Sequence, residues 1–219
     1  MTNEAIARKR DSLDTMNDYQ QEQYETLIDV CHHLKQLGPV ELSKLEGQMA
    51  DYLDFRNRVQ QFLRRHFNAV CTRACYQNQR SACCSRDGII TFFADVVINV
   101  LMSGAQEIET LRSAIKKPQS DFKCIYLGNN GCTWRIKPIV CEMFLCDASV
   151  AQVFDQTGEA QRQWETFQQD KKHFTWPDRP VLFDQLENFF INAGYRSPLM
   201  YLHNSPGLLR VKQNAGIGC

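Results

Sequence analysis

Cysteines constrain this sequence more than any helix or strand pattern does. The chain has ten cysteines, and eight of them lie in one stretch from Cys71 to Cys146. Their spacing is C-x3-C-x7-C-C and, after a long apolar segment, C-x7-C-x8-C-x4-C. Thiols at this density indicate disulfides, a redox pair or a metal site. The eight candidates are Cys71, Cys75, Cys83, Cys84, Cys124, Cys132, Cys141 and Cys146.

Length and amino-terminal composition favour metal over disulfides. A chain of 219 residues that is 43% hydrophobic can form a hydrophobic core without disulfide bonds. The segment "MTNEAIARKRDSLD" lacks the apolar stretch of a secretory signal. We therefore expect a cytoplasmic protein, and thiols in that compartment are normally reduced.

Several functional classes are not expected. Lys plus Arg and Asp plus Glu both total 25, so the chain lacks the basic excess of a nucleic-acid binder. The longest apolar run is interrupted by Asp95 and Asn99 and is too short to span a membrane. There is no Gly-rich phosphate loop, no Ser-His-Asp order and no zinc-protease helix motif, so we assign no catalytic residue. We place Asp95 on a solvent-facing side of its helix.

The fold class expected is mostly α: a helical bundle with a small β-hairpin and a cysteine-rich metal-binding insertion. The predicted division is 1–68 as an N-terminal helical hairpin, 69–147 as the cysteine-cluster metal-binding region and 148–219 as a C-terminal helical segment, within one compact domain. Cys71 and Cys75 are expected in a polar loop. Gly128-Asn-Asn-Gly131 predicts the hairpin turn, because Asn and Gly tolerate positive φ. The predicted helices are about Glu4–Gln36, Val40–Phe67, Ile89–Ile115, a short one after Pro138, Ala148–His173 and Val181–Ala193.

The adjacent pair Cys83-Cys84 limits how the thiols can bind. Neighbouring side chains point to opposite faces of a strand or diverge by about 100° on a helix. The pair therefore indicates two metals, one polynuclear cluster, or one ligand beside a bystander; a vicinal disulfide is a strained fourth option. Eight thiolates carry a net charge of about −8, and two bound zinc ions would reduce it to about −4. A four-iron cluster held by four cysteines would have a net charge of about −2. Nearby basic side chains can offset the remainder: Arg73, Arg80, Arg86, Arg135 and Lys137.

The ordered set of eight cysteines resembles the YkgJ-like cysteine-cluster family, usually described as zinc- or iron-chelating. The segment "CIYLGNNGCTWRIKPIVCEMFLC" matches the family's later cysteines and its Arg-Pro-like step, and the earlier four match its first motif. Two departures are the seven residues before Cys83 and the Lys137 that stands in place of arginine. The flagellin lysine methylases carry a similar cysteine pattern. The resemblance implies a thiolate-held iron–sulfur cluster as first choice and zinc as second.

Three functional hypotheses follow from the sequence. The first is a metal-binding cysteine-cluster protein that serves electron transfer, metal handling or a cluster-dependent modification. The second is a zinc-stabilised interaction module, without redox activity, for an unidentified protein partner. A thiol–disulfide redox protein ranks last, because no C-x-x-C or thioredoxin-like pattern is present. Five further side chains outside the eight are potential ligands, although each is first interpreted as a structural or solvated side chain. They are Cys31, His32, His33, His66 and Cys219.

Overall fold

The structure is a computed structural model, and it describes residues 16–81, 83–85, 90–118, 122–156, 158–176 and 181–200. The first helices along the chain are α1 (Asp18–Gln36), α2 (Pro39–Gln48) and α3 (Ala50–Phe67), followed by a π-helix (Asn68–Tyr76). The central elements are α4 (Phe93–Met102), α5 (Ala105–Ile115), β1 (Leu127–Gly128), β2 (Gly131–Cys132) and α6 (Ile139–Glu142). The last helices are α7 (Asp147–Phe154), α8 (Gly158–Thr175) and α9 (Leu182–Asn192).

The described part of the chain is mostly helical with one small antiparallel hairpin, as predicted. Leu127 pairs with Cys132 and Gly128 pairs with Gly131 across the turn. Gly131 has a φ of 106°, a left-handed conformation that side chains with a Cβ rarely adopt. The Gly-Asn-Asn-Gly sequence therefore explains why the hairpin forms at this point.

Three long predicted helices are each divided in two. The predicted helix Val40–Phe67 breaks at Met49, and the predicted helix Ile89–Ile115 breaks at Ser103. The second break is fixed where the backbone N–H of Gly104 donates to the carboxylate of Glu107 at 2.8 Å, starting a new helix. Ala148–His173 divides into α7 and α8, while the predicted start at Glu4 lies outside the described residues. No helix in the described ranges is both long and apolar enough to cross a membrane.

Helix α4 lies in the middle of the core, as its apolar sequence predicts. Every residue from Phe93 to Val100 is buried, and the helix packs against α1 and α9. Helix α3 packs on α8 through an aromatic cluster in which Phe62 stacks on Trp164. One continuous hydrophobic cluster runs from Leu27 to Met200 and draws on all three predicted segments. The divisions after residues 68 and 147 stay a prediction.

Candidate metal centre

The first two cysteines of the set lie on a helix, so the predicted polar loop is wrong for Cys71 and Cys75. The chain continues from α3 directly into the π-helix, whose wider turn still places residues four apart on the same side. Val70 and Cys71 pack against the hydrophobic core, while no residue of the π-helix is fully buried. The C-x3-C spacing therefore directs both thiols to one side of an otherwise exposed helix.

Backbone hydrogen bonds attach the Cys83-Cys84 segment to the hairpin. The N–H of Cys124 donates to the carbonyl of Cys84 at 3.0 Å, and Ser85 forms an antiparallel bridge with Lys123. The hydroxyl of Tyr76 donates to the carbonyl of Asn129 in the hairpin turn at 2.5 Å. These bonds join the π-helix, the cysteine pair and the hairpin into one unit.

The last cysteine of the set faces the π-helix. Cys146 is the N-cap residue of α7, and α7 packs on the π-helix. The Ser149 hydroxyl donates to the carbonyl of Cys146 at 2.8 Å and is also hydrogen-bonded to the thiol of Cys71. Ser149 therefore links two cysteines that are separated by most of the cysteine region.

Asp95 is buried, which corrects the expectation that it faces solvent. Only 2% of the residue is exposed. Its Oδ2 accepts the N–H of Phe92 at 3.0 Å, and its Oδ1 accepts the N–H of Ile139 at 3.0 Å. Helix α4 is covered on all sides, so its single acid has no solvent-facing side to occupy. Asp95 instead anchors the start of α6, the helix that carries Cys141.

Replacing Asp95 with alanine is expected to lower the free energy of unfolding by about 2–4 kcal/mol. The substitution removes the buried carboxylate that accepts the backbone N–H groups of Phe92 and Ile139 at the α4–α6 junction. Urea denaturation measures the loss, and hydrogen exchange at Ile139 should accelerate. Asp54→Ala, which removes an exposed acid that pairs with Arg58, is the matched control and should change stability by less than about 0.5 kcal/mol. Equal effects of the two substitutions would contradict the assigned role.

The central thiols lie close enough to influence one another's ionisation. Burial raises the pKa of Cys71 to about 11, and the charges of Cys83, Cys146 and Cys75 contribute to the rise. Burial raises the pKa of Cys124 to about 12, with contributions from the charges of Cys132 and Cys141. Burial likewise raises the pKa of Cys141 to about 11, with a contribution from Cys132. Without a bound cation, most of these groups therefore remain thiols near neutral pH.

Some neighbouring donors favour the thiolate form. The backbone N–H groups of Tyr126 and Leu127 donate to the sulfur of Cys124, and that of Trp134 donates to Cys132. The hydrogen bond from Cys83 lowers the pKa of Cys84. Amide donors directed at sulfur stabilise its negative charge, as they do around thiolate-bound metals.

The donor set suits a metal, whereas the thiols are not already arranged as ligands. All nine cysteines described in the structure are free. Across the described ranges, no group of three or more His, Cys, Asp or Glu side chains is placed so that it could hold a metal ion. The buried Trp134 Nε1 and Thr133 Oγ1 lack a hydrogen-bond partner and directly follow Cys132. Thiol chemistry and amide donors fit a sulfur-bound metal, but binding would have to draw the thiols together.

No family model, curated protein or solved structure matches the chain. The resemblance to the YkgJ-like family thus rests on the cysteine pattern and stays a prediction. So do the identity of the metal and the set of ligands.

The other candidate ligands occupy different surroundings. Cys31 lies on α1, where burial raises its pKa, and it packs against the core. His33 packs against the rings of Phe189, Phe190 and Tyr195, and His66 packs on Phe62. The predicted Cys219 and Arg86 lie outside the described residues.

A buried ionic network beside the cysteines escaped the sequence analysis. Arg56 on α3 is 7% exposed and donates to the Tyr52 hydroxyl and the Lys137 carbonyl, both at 2.7 Å. Its guanidinium lies 3.9 Å from the carboxylate of Glu142, the residue after Cys141, and Lys137 Nζ lies 3.4 Å from the same carboxylate. The positive charge of Lys137 in turn lowers the pKa of Cys132 and Cys84. Spacing along α3 gave no signal for Arg56, because arginines on a helix normally face water.

Proposed function

We propose that the region from Cys71 to Cys146 binds metal through cysteine thiolates, with an iron–sulfur cluster as first choice and zinc as second. The observation that carries the proposal is that direct contacts connect elements bearing these cysteines: α7 packs on the π-helix, and the Cys84 carbonyl accepts the N–H of Cys124. The eight cysteines come from the π-helix, the Cys83-Cys84 segment, the hairpin, α6 and the N-terminus of α7. In a reducing compartment such as the cytoplasm, reduced thiols at this density suit a soft metal better than disulfides.

The electrostatics of the region support a cationic ligand. Burial and mutual charge raise the pKa of Cys71, Cys124 and Cys141, so ionising them together without a cation is unfavourable. A bound metal removes that penalty, because it replaces protons and neutralises thiolates. When bound, an iron–sulfur cluster would supply one-electron redox chemistry, consistent with electron transfer or a cluster-dependent modification. Zinc would supply structural stabilisation alone, as in an interaction module.

The test is metal and sulfide analysis of the full chain purified without oxygen, together with an absorption spectrum. For an iron–sulfur site we expect iron and acid-labile sulfide in similar amounts and broad absorption at about 400 nm. Stoichiometric zinc without colour would support the zinc alternative. Cys31→Ser is the matched control, since this half-buried thiol lies on α1 and should leave the metal content unchanged. A chain that carries neither metal, and that takes up neither after reconstitution under reducing conditions, would overturn the proposal.

A further inference from the structure

We propose that the groove between α3 and α8 binds a small phosphate monoester. The cavity in this groove has a volume of about 360 Å³, within the range of small-molecule pockets in proteins. The eight cysteines lie outside its lining, so this inference goes beyond the proposed function and needs no metal. The polar side chains that line the cavity are Arg58, Gln61, Arg65 and His66 from α3 and Gln163 and Thr166 from α8.

The packing of the two helices gives the groove an apolar floor. Phe62 on α3 meets Phe167 on α8 edge-on, with 5.5 Å between the ring centroids. Phe62 also stacks on Trp164, with 5.6 Å between the centroids. Phe62 and Phe167 line the cavity, and each is only 4% exposed. The core therefore holds the floor in place, and the apolar part of a ligand can pack on the ring edges that remain accessible.

The walls of the groove carry hydrogen-bond donors. Arg58, Gln61 and Arg65 follow one another at three- and four-residue intervals, so they lie on the same side of α3. Every polar side chain of the lining can donate a hydrogen bond, and none of the described lining residues is acidic. The chain as a whole has 25 basic and 25 acidic side chains, so two arginines without an acid make this groove locally positive. Such a site favours an anion with several acceptor oxygens.

The two arginines of the groove differ in their surroundings. Arg58 Nε lies 3.2 Å from the carboxylate of Asp54, and its Nη1 lies 3.6 Å from that of Asp170. These ion pairs orient Arg58 and offset its charge. Arg65, by contrast, forms no ion pair within the described part of the chain. Arg65 is therefore the cation that a bound anion would neutralise.

His66 adds a donor beside Arg65. Its ring packs on Phe62, with 4.7 Å between the centroids. Burial and the positive charge of Arg65 lower the pKa of His66, and the charge of Glu159 opposes them. The neutral imidazole keeps one N–H to donate. A phosphate monoester has three terminal oxygens to accept from donors on both helices, whereas a carboxylate has two.

The test is a nuclear magnetic resonance titration of the full chain at about 0.15 M salt. The probes are phenyl phosphate, inorganic phosphate and benzoate, and the readout is the backbone amide shifts of 58–66 and 163–167. We expect phenyl phosphate to bind at least about 5-fold more tightly than inorganic phosphate, because its ring packs on the apolar floor. It should also bind more tightly than benzoate, which has less charge and one acceptor oxygen fewer.

Equal affinity for phenyl phosphate and either of the other probes would overturn the phosphate-monoester assignment. Absence of saturable shifts in 58–66 and 163–167 with phenyl phosphate up to about 10 mM would overturn the binding site itself. Neither result bears on metal binding by the cysteines, so this inference and the proposed function fail separately.

Variants separate the groove from a general attraction to basic side chains. Arg65→Gln should weaken phenyl phosphate binding at least about 10-fold, because it removes a charged donor. Arg64→Gln is the matched control: Arg64 is exposed and outside the lining, so affinity should change by less than about 2-fold. Gln163→Ala removes a donor from α8 and should weaken binding by about 3-fold.

The three substituted side chains are exposed, and each variant should retain the natural far-ultraviolet circular dichroism. Equal weakening by Arg64→Gln and Arg65→Gln, or unchanged affinity in Gln163→Ala, would show attraction to the basic surface of α3 alone and overturn the site in the groove.

Discussion

Removing the proposed metal should open the cysteine region while leaving the helical core folded. The expected loss in free energy of unfolding is at least about 4 kcal/mol, the stabilisation given by a ligand about 1,000-fold above its dissociation constant. The loss is local because the π-helix contains no buried residue and the hairpin strands are only two residues each. By contrast, α4 is buried from Phe93 to Val100 and needs no metal to stay packed. Hydrogen exchange with and without a chelator measures the difference segment by segment.

The expected exchange pattern is specific. Amides in 68–76, 124–132 and 139–149 should exchange faster after chelation, whereas those in α1, α4 and α9 should change little. Protein prepared without metal is the control, because the chelator should leave its exchange unaltered. Faster exchange throughout the chain would show that metal supports the whole fold, and no change in the cysteine segments would show that they are stable without it. Either pattern contradicts the expectation that metal stabilises the cysteine region while the helical core stays folded without it.

Local sequence signals predicted the elements that local chemistry determines. The turn at Gly128–Gly131 follows from residues that tolerate positive φ, and the burial of α4 follows from its unbroken apolar run. The end of α1 at Gln36 is likewise determined by the adjacent Gly38-Pro39. In these cases the physical cause lies within a few residues of the element.

Features that depend on distant contacts could not be predicted in the same way. The π-helix has no clear apolar periodicity, and it is joined to the rest by packing against α7, whose sequence lies far downstream. Asp95 is buried because it receives the N–H of Ile139, a residue 44 positions away. The eight cysteines were identified from spacing, but which of them lie near one another depends on tertiary contacts such as that between α7 and the π-helix. Sequence therefore identifies the candidate residues, while tertiary contacts determine which of them are neighbours.

Replacing Arg56 with alanine should lower the free energy of unfolding by about 3–5 kcal/mol and weaken the proposed metal site as well. The stability loss arises because the buried carboxylate of Glu142, 5% exposed, loses its buried cationic neighbour and keeps the partly exposed Lys137. The Tyr52 hydroxyl and the Lys137 carbonyl also lose their donor. Since Lys137 and Glu142 lie on either side of Pro138–Cys141, the start of α6 loses its attachment to α3. Urea denaturation and zinc titration of the same variant measure the two effects.

Companion variants separate charge from packing in this network. Arg58→Ala, two residues along α3, removes a half-exposed arginine with surface ion pairs and should change stability by less than about 1 kcal/mol. Adding Glu142→Gln to Arg56→Ala should recover part of the loss, because it removes the uncompensated buried charge. Metal affinity should fall by about 10-fold in Arg56→Ala, as expected for a residue that orients ligands without binding metal itself. A stability loss that Glu142→Gln does not relieve, with metal affinity unchanged, would show that Arg56 serves packing alone and does not position the cysteines.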